Sequence, residues 1–420
     1  AEQRLVEQHR ANRRLRFSLF GVAALLAVAL VAGALAVREG QRADAQANRA
    51  DNEARLAQVR ELAAASRAST ATDPELAVLL ALQAADLSQS TSGDPGREAT
   101  EALHGAIVAS RIEQVVPDLG GSVAWSPTGE LFVTEGPEDT GLVDLRDPDT
   151  GESVRSFVGH DVDINDVAFS PSGLLATTGD DGALRVWDPQ DGRMVVEVIG
   201  RGGVWGPSFS ADSGSVSAAW IDEGAVRVVN VSDGETIVKA AVQGGPRSTS
   251  LSPDGRRVAV ASFDPTNARV LDAATGAPVH GLPGHDAGIR SVLYSPDGDW
   301  LATASEDFTV RVRDAQTGET LHTLTDFGSA VHGVAWAPDS RRLAAGGFDG
   351  TARVFDISTD RAELAYTLAG VTTASGVIGV AFSPDGGHLL TGDDRITAAT
   401  LWDVGPGGDA EVANLPGNPN

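Results

Sequence analysis

The residue types that do chemistry are few in this chain, and their spacing is poor. Lys239 is its single lysine, and no Gly-x-x-x-x-Gly-Lys-Ser/Thr occurs, so the phosphate cradle of a P-loop NTPase is excluded for this stretch. There is no cysteine, hence no thiolate nucleophile, thiolate metal site or disulfide. The eight histidines are dispersed, without His-Glu-x-x-His or Gly-x-Ser-x-Gly, which leaves zinc-protease and serine-hydrolase chemistry without a handle. Asp161-Val162-Asp163-Ile164-Asn165 copies the start of a calcium loop, but the sixth and twelfth places hold Asp166 and Ser172 instead of Gly and Glu; a solvated loop is expected. Glu135, Glu138, Asp139 and Asp144 read as an exposed acidic turn. The expectation is no catalytic residue, no metal and no cofactor.

The elements that would position any site come next. Of 420 residues, 48 are Gly and 20 Pro, the composition of a turn-rich globular chain. The net charge is −26 and uneven: residues 1–70 hold 11 Arg against 7 acids, whereas the rest hold 21 basic and 51 acidic side chains. An acidic bulk repels nucleic acid, so none is expected as a partner. The chain opens on Ala1 and has one methionine, Met194, as a piece of something longer would.

Residues 17–37 run without a charge, 21 positions that reach roughly 30 Å as a helix, the thickness of a bilayer's hydrocarbon core. Arg4, Arg10, Arg13, Arg14 and Arg16 precede them in a basic flank, residues 1–16. The positive-inside rule then places residue 1 in the cytoplasm and everything after residue 38 outside, as a single-pass plasma-membrane protein held by the lipid bilayer. A buried core helix and a cleaved signal peptide are the alternatives. Residues 38–69 read as a solitary stalk helix with a thin seam of Ala43, Ala47, Ala50, Ala54 and Ala57, which a second copy could pair with. Residues 70–111 read as a helical hairpin. Thr72-Asp73-Pro74-Glu75 caps its first, apolar helix (Leu76, Val78, Leu79, Leu80, Leu82, Leu87), and the second begins near Asp94-Pro95.

Beyond residue 120 one turn is written seven times, beginning at Ser126, Ser170, Ser210, Ser252, Ser295, Ala337 and Ser383, at spacings of 40 to 46 residues. Ser252-Pro253-Asp254-Gly255 is typical. Around each lie alternating runs such as Val167-Ala168-Phe169, Leu301-Ala302-Thr303 and Arg185-Val186-Trp187-Asp188, and a fourth run closes on Gly159-His160 or Gly284-His285. Four strands per period is a propeller blade. The order Gly-His, Ser-Pro-Asp-Gly, Trp-Asp resembles the WD-repeat β-propeller. The fold class expected is therefore all-β, a seven-bladed propeller over residues 112–416 with a tail at 417–420, preceded by the transmembrane helix, stalk helix and helical hairpin. Its last blade needs an outer strand, either Glu411 to Leu415 or, preferred, Ile112 to Val116.

The resemblance implies a hydrogen-bonded structural group of His, Thr, Asp and Trp in a blade. Only the second repeat has it whole, as His160, Thr177, Asp181 and Trp187. The fifth keeps His285, Thr303 and Asp307 with Arg313 in the Trp place, and the sixth has Asp349 with Phe355, so rigidity is expected to vary between blades. In such propellers one face around the channel often binds peptides. The residue one place into each innermost strand and the residue before each structural Asp then gather Trp205, Arg247, Phe263, Arg290, His332 and Phe348 on one sector, with Glu138 and Asp180 on the opposite one. Aromatic and arginine residues together are the composition of interface hot spots. The alternative is local packing between blades. An acidic or aromatic-rich protein or peptide is the expected ligand.

Arg4 to Arg16, the span, the Ala/Arg stalk and the Asp-Pro-Glu-Leu helix before WD repeats are similar to the C-terminal half of actinobacterial signal-transduction ATPases with numerous domains. That resemblance implies a sensor or interaction module of a membrane-held, transcription-regulating ATPase. A scaffold without signalling and a propeller hydrolase are the rival functions.

Overall fold

The Ser-Pro-Asp-Gly signature works as a hairpin lock. In the fourth copy the Ser252 hydroxyl donates to Asp254 Oδ1 (2.6 Å) and accepts from the Arg257 N–H (3.0 Å). Gly255 has φ +69°, where a side chain is disfavoured, and its N–H returns to the Ser252 carbonyl (2.8 Å). In the two copies without Gly, Ser213 and Ser340 take the same left-handed conformation, and each accepts the N–H of the preceding blade's turn, at Ser172 and Asp297.

The computed structural model describes residues 38, 41, 46, 47, 50–69, 74–92, 96–100, 102, 103, 112–117, 120–136, 140–369, 376–393 and 398–405. These divide near residue 108 into a helical unit and the propeller. The expected span, residues 17–37, and its basic flank lie outside the described residues, as do Thr72 and Asp73. Among those described, no helix is long and apolar enough to cross a membrane.

The helical unit has residues 50–69 and Pro74–Ser92 in helix, and a short helical stretch after Gly96. Its core is Val59, Ala63, Ala81, Ala84, Ala99 and Ala102, so the hairpin packs on the end of the stalk. The seam positions Ala47, Ala50, Ala54 and Ala57 are exposed in the single chain, and the stalk buries Val59, Ala63 and Ser66. In the hairpin the buried stripe is Ala77, Ala81, Ala84 and Ser88, while Leu76 and Leu82 face solvent. Small side chains let helix backbones approach closely, and the Ser66 hydroxyl donates to the Ala77 carbonyl at 2.7 Å.

In the propeller, seven four-stranded antiparallel sheets follow one another. Blades 1 to 6 are residues 120–158, 164–199, 204–241, 246–281, 289–324 and 331–369, and blade 7 is 377–403. Blade 7 takes its outermost strand from Ile112–Pro117, which pairs antiparallel with Ala398–Asp403, Val115 opposite Thr400. The preferred closure is thus the observed one, and Glu411 to Leu415 lies outside the described residues. Apolar clusters fill every gap between neighbouring blades, including Val123, Trp125 and Phe132 of blade 1 against Leu390, Ala399 and Leu401 of blade 7.

Candidate functional site

Each innermost strand carries an irregularity near its start. In five blades the pairing register skips one residue, and the skipped residues are Asn165, Arg247, Arg290, His332 and Ile378. A bulge leaves its extra residue out of the ladder and re-aims the side chain. That is why these five side chains line the channel cavity, whereas Trp205, which also lines it, stays paired with Ala219 and precedes its blade's shift. The other set converges on them through the backbone. The N–H groups of Asp180, Ile221, Phe263, Glu306 and Phe348 donate to the carbonyls of Asp163, Gly203, Gly245, Gly288 and Ala330, so each turn is stitched to the loop entering its own blade.

The six residues picked from the spacing fall into two contact groups. The Arg247 guanidinium lies 3.4 Å above the Trp205 ring centroid and 5.1 Å from that of Phe263. Arg290 lies 5.4 Å from the Phe348 centroid, and His332 meets Phe348 edge-on at 5.6 Å. Trp205, Arg247, Arg290, His332 and Phe348 line a channel cavity of about 660 Å³, while Phe263 is exposed beside it. Burial, then repulsion from Arg290, lowers Arg247 to about 10. Burial, then Arg290 and Arg247, holds His332 at about 3, a neutral imidazole.

The two arginines differ in their partners. Arg290 pairs with Glu306 at 2.6 Å. Arg247 has no hydrogen-bond acceptor or ion-pair partner among the described residues, although a guanidinium carries five donors.

Sequence reasoning missed the opposite wall. Ser122 of blade 1 donates its hydroxyl to Asp166 of blade 2 (2.5 Å) and its N–H to Glu135 (2.9 Å), and its hydroxyl accepts the Val167 N–H. Burial pushes Glu135 well above the usual carboxylate range, with Asp166 and Asp163 adding repulsion, and burial also raises Asp166. The exposed-turn reading of Glu135 is therefore corrected, since it is 7% exposed and lines the cavity. Asp144 is also buried, accepting from Arg146, Ser153 and Ser156. Glu138 and Asp139 lie outside the described residues. Asp180 is not opposite the aromatic sector: it accepts from Asn165 (2.7 Å), and a Cβ built on Gly203 would meet both its Oδ1 and the Trp205 indole nitrogen. A one-residue register shift changes which face a side chain takes, and composition carries no trace of it.

The structural group of blade 2 is complete. His160 Nδ1 lies 2.9 Å from Asp181 and Nε2 2.9 Å from the Thr177 hydroxyl, which accepts the Trp187 indole N–H at 3.0 Å. Gly159 leaves the room the indole fills, because a Cβ there would lie 2.6 Å from the ring. Blade 5 repeats the arrangement with His285, Thr303 and Asp307, and burial lowers His285 to about 4. In blade 7, Trp402 donates to Thr391 at 2.9 Å, a pair that sequence reading passed over.

Residues 151–188, 276–314, 318–356 and 363–397 match the family described as WD domain, G-beta repeat. A WD repeat-containing protein of Schistosoma mansoni, SL1-17, is 46% identical over 57 residues, 13% of this chain and 19% of its own length. The chain thus matches about a fifth of that relative. A chain in the crystal structure of the mitotic checkpoint complex is similar in fold, with TM-score 0.62 and 20% identity over 70% of this chain and 92% of its own. The fold is a seven-bladed propeller, and these four stretches of it are WD40 repeats.

Proposed function

We propose that the chain is a non-enzymatic interaction module whose propeller grips a protein or peptide segment at the channel mouth. One observation carries this reading: Arg247 is stacked on Trp205 at the rim of a 660 Å³ cavity without an acceptor of its own. A stacked, partly desolvated guanidinium among aromatic side chains is what interface hot spots are made of. Screening an acidic and aromatic-rich peptide array against the wild type and Arg247→Gln tests it. Binding that the substitution leaves untouched would remove the mouth from the reading.

The charge-free run at 17–37 and its arginine flank support a membrane anchor, with the N-terminus cytoplasmic and the propeller outside. Protease added to intact spheroplasts is then expected to degrade the propeller, and protection until lysis would reverse the topology. The likeness to signal-transduction ATPases supports a sensor role in a larger regulator, against a scaffold without signalling. The hydrolase alternative has one observation in its favour, the Glu135–Ser122–Asp166 cluster in the channel. Its hydrogen bonds tie neighbouring innermost strands, which supports a stapling role, and loss of folding rather than of turnover is expected in Asp166→Asn.

A further inference from the structure

Arg247 and Arg290 are neighbours at the mouth with different partners. Arg290 is held by Glu306, whose side chain is 34% exposed and so can swing into water. Arg247 is held only by ring faces, on Trp205 and Phe263. Stacking fixes the plane of a guanidinium and leaves its N–H edge for a hydrogen-bonding partner. Carboxylates stand nearby without pairing to it: Asp166 and Asp180 both attract Arg247 from a distance, as Glu306 does.

We infer that the mouth is a seat for a single carboxylate of a bound protein segment, anchored by Arg247, and that Glu306 is the resident competitor which that carboxylate displaces from Arg290. This deepens the interaction-module reading and rests on it. Two guanidiniums stand against three carboxylates, Glu306, Asp180 and Asp166, so the mouth has no surplus positive charge: one incoming negative charge is compensated by exchanging for that of Glu306, and a second is not. A carboxylate fits that balance better than a phosphate dianion. It can come from an Asp or Glu side chain or from a chain terminus. Trp205, Phe263 and Phe348 flank the seat and suit apolar neighbours of the acidic group.

The test uses the full chain and labelled octapeptide libraries, N-acetylated and C-amidated, with Glu, Gln or phosphoserine fixed at the centre, plus a Gln library with a free C-terminal carboxylate. Glu306→Gln should bind the Glu library about 5- to 10-fold tighter than the wild type, and Arg247→Gln should lose it in either background while keeping its Tm. The free-terminus library separates the two carboxylate sources. Equal binding of the Glu and Gln amidated libraries, with no gain from the free terminus, overturns the seat while leaving peptide binding standing. Preference for phosphoserine overturns the one-charge limit. If no library binds, the peptide reading falls, and titration with butyrate, a monocarboxylate, decides the seat alone. A saturable emission change in Glu306→Gln that vanishes when Trp205→Phe is added upholds the seat, and its absence overturns it.

Discussion

Arg313 Nε lies 3.3 Å from the Thr303 hydroxyl, the contact that the Trp187 indole N–H makes with Thr177 three blades earlier. An arginine has taken over the donor role of a tryptophan. It also donates to the Gly318 carbonyl and the Thr320 hydroxyl, yet it is fully buried and, among the described residues, has no carboxylate partner in ion-pair range and keeps one terminal nitrogen unpaired. Burial lowers it to about 10.

Replacing a buried, incompletely satisfied cation with a well-packed apolar group is commonly stabilising. Arg313→Trp is therefore expected to raise stability by about 1–3 kcal/mol, with the indole N–H taking the Thr303 bond as Trp187 takes that of Thr177 in blade 2. Urea denaturation measures it. An unchanged or lowered midpoint would mean that the arginine's bonds to Gly318 and Thr320 outweigh its desolvation.

Acid should loosen the ring through its buried histidines. His285 is neutral in the fold with its pKa near 4, while the unfolded chain protonates at about 6.5. Between those values the unfolded state binds the extra proton, so stability falls as the pH drops from about 6.5 and the loss saturates near 4. This one group accounts for about 3 kcal/mol, and His160, shifted the same way by burial, adds to it. Glu135 works in the opposite sense: raised in the fold, it strengthens the native state as the pH falls toward its unfolded value. Denaturation midpoints at pH 7, 6 and 5 should decline, with a shallower slope in His285→Gln.

Closure can be pinned chemically. Val115 and Thr400 are directly opposed, so Val115→Cys with Thr400→Cys should oxidise to a disulfide without reshaping either strand. The loop it closes is long enough for a gain of up to about 5 kcal/mol in the chain-entropy account. Failure to cross-link would contradict this pairing.

Binding should distinguish neighbours on the mouth. Trp205→Ala is expected to cost about 2 kcal/mol of affinity for an acidic peptide, about thirtyfold, with folding intact. Asp180→Asn should tighten the same peptide, because it removes a negative charge that attracts Arg247. Calorimetric titration of both variants checks the signs.

What the sequence made legible was whatever repeats. Seven turns at regular spacing carry the blade count, and Trp187 with His160 carries the register of the outer strands. The same spacing located Arg247, Arg290 and Trp205, since a loop position in one blade is the same loop position in the next. Departures from the repeat were hidden. The bulges are backbone events, and the burial of Glu135 follows from Ser122 and Asp166 meeting across two blades, 13 and 31 residues away in sequence. The stalk shows the converse limit: a helical period displays an alanine seam at Ala47, Ala50, Ala54 and Ala57 but cannot say whether anything covers it.

Blade 7 borrows its outermost strand from the beginning of the propeller, which sets an order in time. Ile112–Pro117 is among the first propeller segments to leave the ribosome, and its partner Ala398–Asp403 is among the last. At roughly 5–20 residues per second the early strand waits on the order of 15–60 s with its ladder edge unpaired. Six blades can form from contacts within about forty residues, but the ring is completed only by a pairing that spans the whole domain, so closure is the slow step of folding. Nascent chains stalled before residue 398 should therefore be protease-sensitive at their first strand and captured by chaperones that recognise exposed edges.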